Sequence, residues 1–200
     1  MEQSYRTVAG RGQARFHIRG SEFIGTIAPT PDPESAETFI ERVSAEYDDA
    51  THNVPAYRVH APDGPLREWA DDAGEPGGSA GKPALNVLVQ EDIQNVAVVV
   101  TRYYGGTKLG VGGLARAYAR GVKEALTDAG IVEQEPQERF AVTVAYDDSG
   151  TVRGILESAE TTFEATYEET VTFEVRAPTA NAGDIRDRIK SATSGRAQVE

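Results

Sequence analysis

Cations, aromatic rings and glycines crowd into one stretch of this sequence, from Arg102 to Gly113. It reads Arg102-Tyr103-Tyr104-Gly105-Gly106-Thr107-Lys108-Leu109-Gly110-Val111-Gly112-Gly113. Five glycines in nine residues let the backbone bend and come close to a partner. Arg102 and Lys108 supply positive charge, and the two tyrosines supply flat stacking surfaces. The run Val96 to Thr101 before it reads as a buried strand, and Leu114 to Ala129 after it as an amphipathic helix. Loop amides, a positive helix N-terminus and cations together suit an anion. At 100° per residue, Arg116, Arg120 and Lys123 gather opposite the apolar face of Leu114, Tyr118, Val122, Ala125 and Ala129. The same pattern is equally that of a solvated helix face after a tight β–α turn.

A second candidate is Asp71-Asp72-Ala73-Gly74-Glu75-Pro76-Gly77-Gly78-Ser79-Ala80-Gly81-Lys82-Pro83. Three carboxylates, a hydroxyl and an amine could bind a metal or perform acid–base work. In isolation the loop is better read as a wide turn whose carboxylates cap backbone amides. His52 and His60 would lie about 26 Å apart in an extended segment, too far to share a metal. His52 beside Asn53 can hydrogen-bond the nearby loop.

Gly110-Val111-Gly112-Gly113-Leu114-Ala115 matches the form of a dinucleotide fingerprint. Tyr104 to Leu109 intervene between strand and first glycine, however, so the context speaks against NAD. Walker and G-x-S-x-G sequences are absent. No catalytic residue, metal site or cofactor is assigned.

The elements that must position these groups follow from periodicity. Tyr5 to Ala28 reads as two strands, and Ala36, Phe39, Ile40, Val43 and Tyr47 as one helix after the Pro29–Pro33 turn. Val54–Ala61 and Leu66–Ala70 form a hairpin around Pro62-Asp63-Gly64-Pro65. Pro83 belongs to the first turn of a short helix ending near Gln90. Gly130 closes the long helix, and Gln134-Glu135-Pro136 reads as a linker. Beyond it come a strand at Phe140, Val142 and Val144, then a helix capped by Asp148 or Ser149. A hairpin follows with Phe163, Ala165 and Tyr167 against Val171, Phe173 and Val175. A helix at Ala180–Ala192 and a last strand complete the order β-α-β-β-α-β, the ferredoxin-like split arrangement.

Composition sets the surroundings. The formal net charge is −12, with 32 acidic residues, yet Ile93 to Lys123 holds no Asp or Glu and five basic residues. Only four lysines occur, at 82, 108, 123 and 190. Such an acid-rich, lysine-poor chain suits a high-salt cytoplasm, where self-repulsion is screened. With no cysteine, disulfides and thiolate chemistry are excluded. No apolar run reaches a membrane span and no signal-peptide core begins the sequence, so a cytoplasmic protein is expected.

The combination Ala50-Thr51-His52-Asn53, Ala56-Tyr57-Arg58, Gly74-Glu75-Pro76 and Ser79-Ala80-Gly81-Lys82-Pro83 continues into Arg102-Tyr103-Tyr104-Gly105-Gly106, Leu109-Gly110 and Gly112-Gly113-Leu114. These motifs resemble the IMPACT/YigZ family over about residues 15–130. One departure is an extra Ala73 in the usual D-D-G-E-P. The resemblance implies an α+β protein, with a ribosomal-protein-S5 domain-2-like domain over 1–134. A ferredoxin-like domain over 137–200, similar to a domain of the translocation elongation factor, would follow. It also implies a link to translation. Eukaryotic members restrain activation of an amino-acid-starvation kinase by competing for its activator. They carry an additional N-terminal RWD domain with no counterpart in this sequence, so the kinase role is not expected here.

The expectation is a non-enzymatic, translation-associated regulator that binds RNA, the ribosome or a translation factor. Its binding residues would be His52, Asn53, Glu75, Arg102, Tyr103, Tyr104, Gly105, Gly106, Lys108, Gly110, Gly112, Gly113, Arg116 and Arg120. Arg102, Lys108, Arg116 and Arg120 would contact phosphates, and Tyr103 or Tyr104 would stack on a base. The alternative is an enzyme or small-molecule binder whose glycine loop holds a phosphate-bearing ligand.

Overall fold

The computed structural model describes residues 4–61 and 64–200. Two compact units, Tyr5–Gln134 and Glu135–Glu200, divide the chain. The first contains β1 (Tyr5–Val8), β2 (Gly12–Ile18), β3 (Ser21–Pro29), α1 (Pro33–Glu46), β4 (His52–His60), β5 (Leu66–Ala70), α2 (Gly81–Gln90), β6 (Val96–Tyr103), α3 (Val111–Ala129) and β7 (Ile131–Gln134). Pro62 and Asp63 of the expected turn lie outside the described residues.

A five-stranded antiparallel sheet in the order β2-β3-β6-β4-β5 organises this unit. α1 covers one face, and α2 and α3 cover the other. Central β6 is therefore buried on both sides, which explains its unbroken apolar run. Val96, Val98 and Val100 meet α2 and α3, while Ala97 and Val99 meet α1.

α1 starts where Asp32 accepts from the Ser35 amide at 2.7 Å, with Pro33 in the first turn. That hydrogen bond holds the Asp32 carboxyl below its usual range. α3 lies almost in backbone contact with β3. A Cβ added at Gly25 would stand 2.2 Å from the Gly121 carbonyl oxygen, and one at Gly121 2.8 Å from a Val100 methyl.

Three expectations are corrected here. Tyr5 to Ala28 forms three strands, not two, because β1 leaves the main sheet and pairs antiparallel with β7. Gln134 is thus part of a strand rather than a linker. α3 begins at Val111, three residues before Leu114, so Gly112 and Gly113 are helical. Glycine's poor helix propensity is overridden by a helix already anchored through its buried face.

The second unit contains β8 (Gln137–Val144), α4 (Tyr146–Ser158), β9 (Thr162–Tyr167), β10 (Val171–Pro178), α5 (Thr179–Ala192) and β11 (Gln198–Val199). Its antiparallel sheet runs β11-β8-β10-β9, the ferredoxin-like order. Phe140, Val142, Phe173, Val175, Leu156, Ile185 and Ile189 build its core. α4 starts at Tyr146, earlier than the expected cap; Asp148 lies in its first turn engaged by Arg196 at 2.8 Å, and the Ser149 hydroxyl donates to the Tyr146 carbonyl at 2.7 Å. Tyr167, expected on the inner face, is 52% exposed at the end of its strand. With the S5 domain-2-like first unit, the fold is the α+β class the sequence implies.

Candidate functional site

The C-terminal end of β6 carries the site. Pairing sets Arg102 opposite His52 of β4 and opposite Phe23 of β3. Side chains alternate along β6, so Arg102 points toward α3 while Thr101 and Tyr103 point toward α1. Arg102 is 4% exposed. Its guanidinium donates to Glu75 Oε1 at 2.6 Å and to Ser21 Oγ at 3.3 Å. Tyr118 of α3 donates to the same Glu75 oxygen at 2.7 Å. His52 Nε2 lies 3.8 Å from Glu75 Oε2, and its Nδ1 donates to the Ala73 carbonyl at 2.8 Å. Burial, then the bond to Glu75, pushes the Tyr118 phenol well above its usual range.

Glu75 reaches this cluster because Asp72 shapes its loop. Asp72 accepts from the amides of Gly78, Ala80 and Gly81 at 2.7, 3.0 and 2.8 Å. Burial opposes its charge, but these amides prevail and hold the carboxyl below its usual range. The Gly81 contact caps α2 from nine residues upstream. The extra Ala73 is accommodated at a positive φ of 48°, followed by Gly74 at 86°.

An exposed layer lies beyond the buried one. Tyr104 is 45% exposed, with the Arg102 guanidinium 5.2 Å from its ring centroid. Gly105 passes so close to Gly20 that a Cβ would meet that residue's carbonyl carbon at 1.9 Å. Its amide donates to Ser21 Oγ at 3.1 Å, tying the loop to the cluster beneath. Gly106 has a φ of 85°, and Gly110 precedes α3 at 72°. Among the described residues, no side chain caps α3, and no acid stands in its first turn. The first intrahelical donor is Leu114, so the Val111, Gly112 and Gly113 amides face outward unpaired within the helix. Arg116 folds back over this turn, close enough that a Cβ on Gly112 would lie 3.4 Å from its guanidinium. Among the described residues, no carboxylate forms an ion pair with Lys108 or Arg116.

The structure thus gathers His52, Glu75 and Arg102, and sets Tyr104, Gly105, Gly106, Lys108, Gly110, Gly112, Gly113 and Arg116 on the exposed layer. It separates the others. Asn53 faces α1, donating to the Tyr47 carbonyl at 2.9 Å and accepting from Thr101 at 2.6 Å. Tyr103 donates to Asp49 at 2.6 Å, and chiefly this bond pushes its phenol up to about 12. Arg120 is held by Glu124 at 2.6 Å and stacks 4.1 Å from the Phe16 centroid. Ser21 and Tyr118 were not among the expected site residues. Tyr118 carries only an apolar-face signal in sequence, although a core tyrosine needs a partner for its hydroxyl.

An S5 domain-2-like domain bearing a buried Arg–Glu pair under a cationic glycine loop, followed by a ferredoxin-like domain, defines the class of this protein. The Impact N-terminal domain matches residues 19–126, and a domain of unknown function (DUF1949) matches residues 142–196. IMPACT family member YvyE of Bacillus subtilis is 32% identical over 201 residues, covering 100% of this chain and 92% of that protein. IMPACT family member YigZ of Escherichia coli is 32% identical over 183 residues, covering 91% and 90%. A crystal structure of a hypothetical protein is similar at 30% identity and a TM-score of 0.75, covering 100% of this chain and 97% of that one. This chain belongs to the IMPACT family. Among the described residues, no helix is long and apolar enough to cross a membrane.

Proposed function

We propose that this chain is a translation-associated regulator that binds RNA, free or in the ribosome, through the glycine loop and the first turns of α3. The observation that carries this reading is the pair of exposed cations, Lys108 and Arg116, that have no carboxylate partner among the described residues and flank a helix N-terminus that none of those residues caps. Phosphate is the natural counter-charge for that group. Tyr104 offers an exposed ring on which an unpaired base can stack. Arg102 acts from beneath, positioning Tyr104 rather than touching phosphate. The link to translation rests on family membership.

Fluorescence anisotropy with a labelled single-stranded RNA tests the reading. Affinity should fall steeply as salt rises, and Arg116→Glu should abolish binding. Salt-insensitive or absent binding overturns it.

The convergence of His52, Glu75 and Arg102 favours a second reading, a phosphate-bearing metabolite held at the glycine loop and acted on by His52 or Glu75. Against it, the Glu75 side chain is only 3% exposed and one of its oxygens already accepts two hydrogen bonds. Thermal-shift screening against nucleotides separates the two: stabilisation by one nucleotide, lost on changes at the loop, supports the second reading.

A further inference from the structure

β9 is an edge strand, and its free side carries a consistent chemical pattern. Among the described residues, β10 alone pairs with it. The Glu168 amide donates to the Thr170 carbonyl at 3.0 Å, and these two residues continue the β9–β10 register. Antiparallel pairs alternate, so Thr166–Thr172, Glu164–Glu174 and Thr162–Arg176 are the hydrogen-bonded pairs. The amides and carbonyls of Phe163, Ala165 and Tyr167 therefore point away from β10.

Two features say what could occupy that edge. Glu164 and Glu174 stand directly opposite each other on the sheet face away from the helices, a like-charge pairing that destabilises a sheet. Among the described residues neither has an ion-pair partner, and Glu160 to Val175 holds five glutamates and no lysine or arginine, Arg176 standing one step further along the same face opposite Thr162. On the other face, Phe163 and Ala165 pack only partly against the core. At the strand's end Tyr167 and Tyr146 are both 52% exposed, with ring centroids 6.4 Å apart, and Arg153 of α4 donates to the Tyr167 hydroxyl at 2.7 Å with its guanidinium 5.4 Å from the Phe163 centroid.

We propose that β9 is a docking edge for an extended, basic segment of a partner protein. The segment adds a strand to the sheet and alternates cationic with apolar residues. Its cations fall beside Glu164 and neutralise the Glu164–Glu174 repulsion. Its apolar residues fall beside Phe163, Ala165 and Tyr167 and extend the half-covered core. A second copy of this chain brings no cation to this edge, and antiparallel β9 pairing centred on Glu164 would set that glutamate against its own copy. The assignment does not depend on what the glycine loop binds.

Hydrogen exchange and amide NMR of the full chain test it, with a synthetic lysine–valine alternating peptide as the probe and its glutamate–valine counterpart as control. The lysine peptide should slow exchange at Phe163, Ala165 and Tyr167 at least tenfold, and the glutamate peptide should not. Ala165→Pro removes an outward amide and leaves the β9–β10 bonds in place, so it should lose the effect while β8 and β10 stay protected. Glu164→Lys should weaken binding at least fivefold and serves if the proline variant does not fold. Equal binding of both peptides, protection located elsewhere, or self-association through β9 in sedimentation overturns the proposal.

Discussion

At the scale of single residues, Glu75 decides the geometry of the buried cluster, since Arg102 and Tyr118 both donate to it. Removing one partner of a buried ion pair strands the other, so Glu75→Ala should destabilise the fold by about 3–5 kcal/mol. Tyr118→Phe removes one hydrogen bond and leaves the pair, so about 1 kcal/mol is expected. Urea unfolding of both variants checks the order of the two effects. Tyr103 gives a pH test. Its phenol is raised to about 12 from 10, chiefly by Asp49, so the protonated form favours the folded state. That contribution is fully present below pH 10 and fades as pH rises toward 12. The difference in stability between the wild type and Tyr103→Phe should shrink across this window.

At the scale of elements, the seating of α3 on β3 governs where the glycine loop ends. Gly25→Ala would drive a Cβ into the Gly121 carbonyl, a backbone group that cannot swing aside as a long side chain could. A loss of about 2 kcal/mol or more is expected in chemical denaturation. Gly154→Ala on exposed α4, where nothing lies within 4 Å, should instead stabilise by about 0.5–1 kcal/mol. The two faces of α3 were legible in sequence, because 3.6-residue periodicity is a local property. Its start was not: Gly112 and Gly113 carry a loop signal, and they are helical as the first turn of a helix whose buried face begins at Leu114. β1 was misread for a similar reason, since its partner β7 lies more than a hundred residues away.

At the scale of the whole molecule, a net charge of −12 works against a compact state. The Debye length falls from about 10 Å at 0.1 M salt to about 3 Å at 1 M. The melting temperature should therefore rise between 0.1 M and 1 M KCl, and a flat or falling trend would show that self-repulsion is not limiting. RNA affinity should move the opposite way, because the same salt competes at Lys108 and Arg116. Stability and binding thus carry opposite salt signatures.

The sequence by itself determined the family, the class of fold and the charge contrast around residues 93–123. Each is written in residue types, short-range spacing or local periodicity. Only the tertiary structure decided which cations are free. Arg102 and Lys108 look alike in the glycine block, yet Arg102 is buried against Glu75, 27 residues away in the chain, while Lys108 is exposed. Likewise Tyr103 and Tyr104 are neighbours that strand alternation sends apart, one to Asp49 and one to solvent. Whether a charge is available depends on which distant carboxylate the fold desolvates beside it, and no local spacing records that.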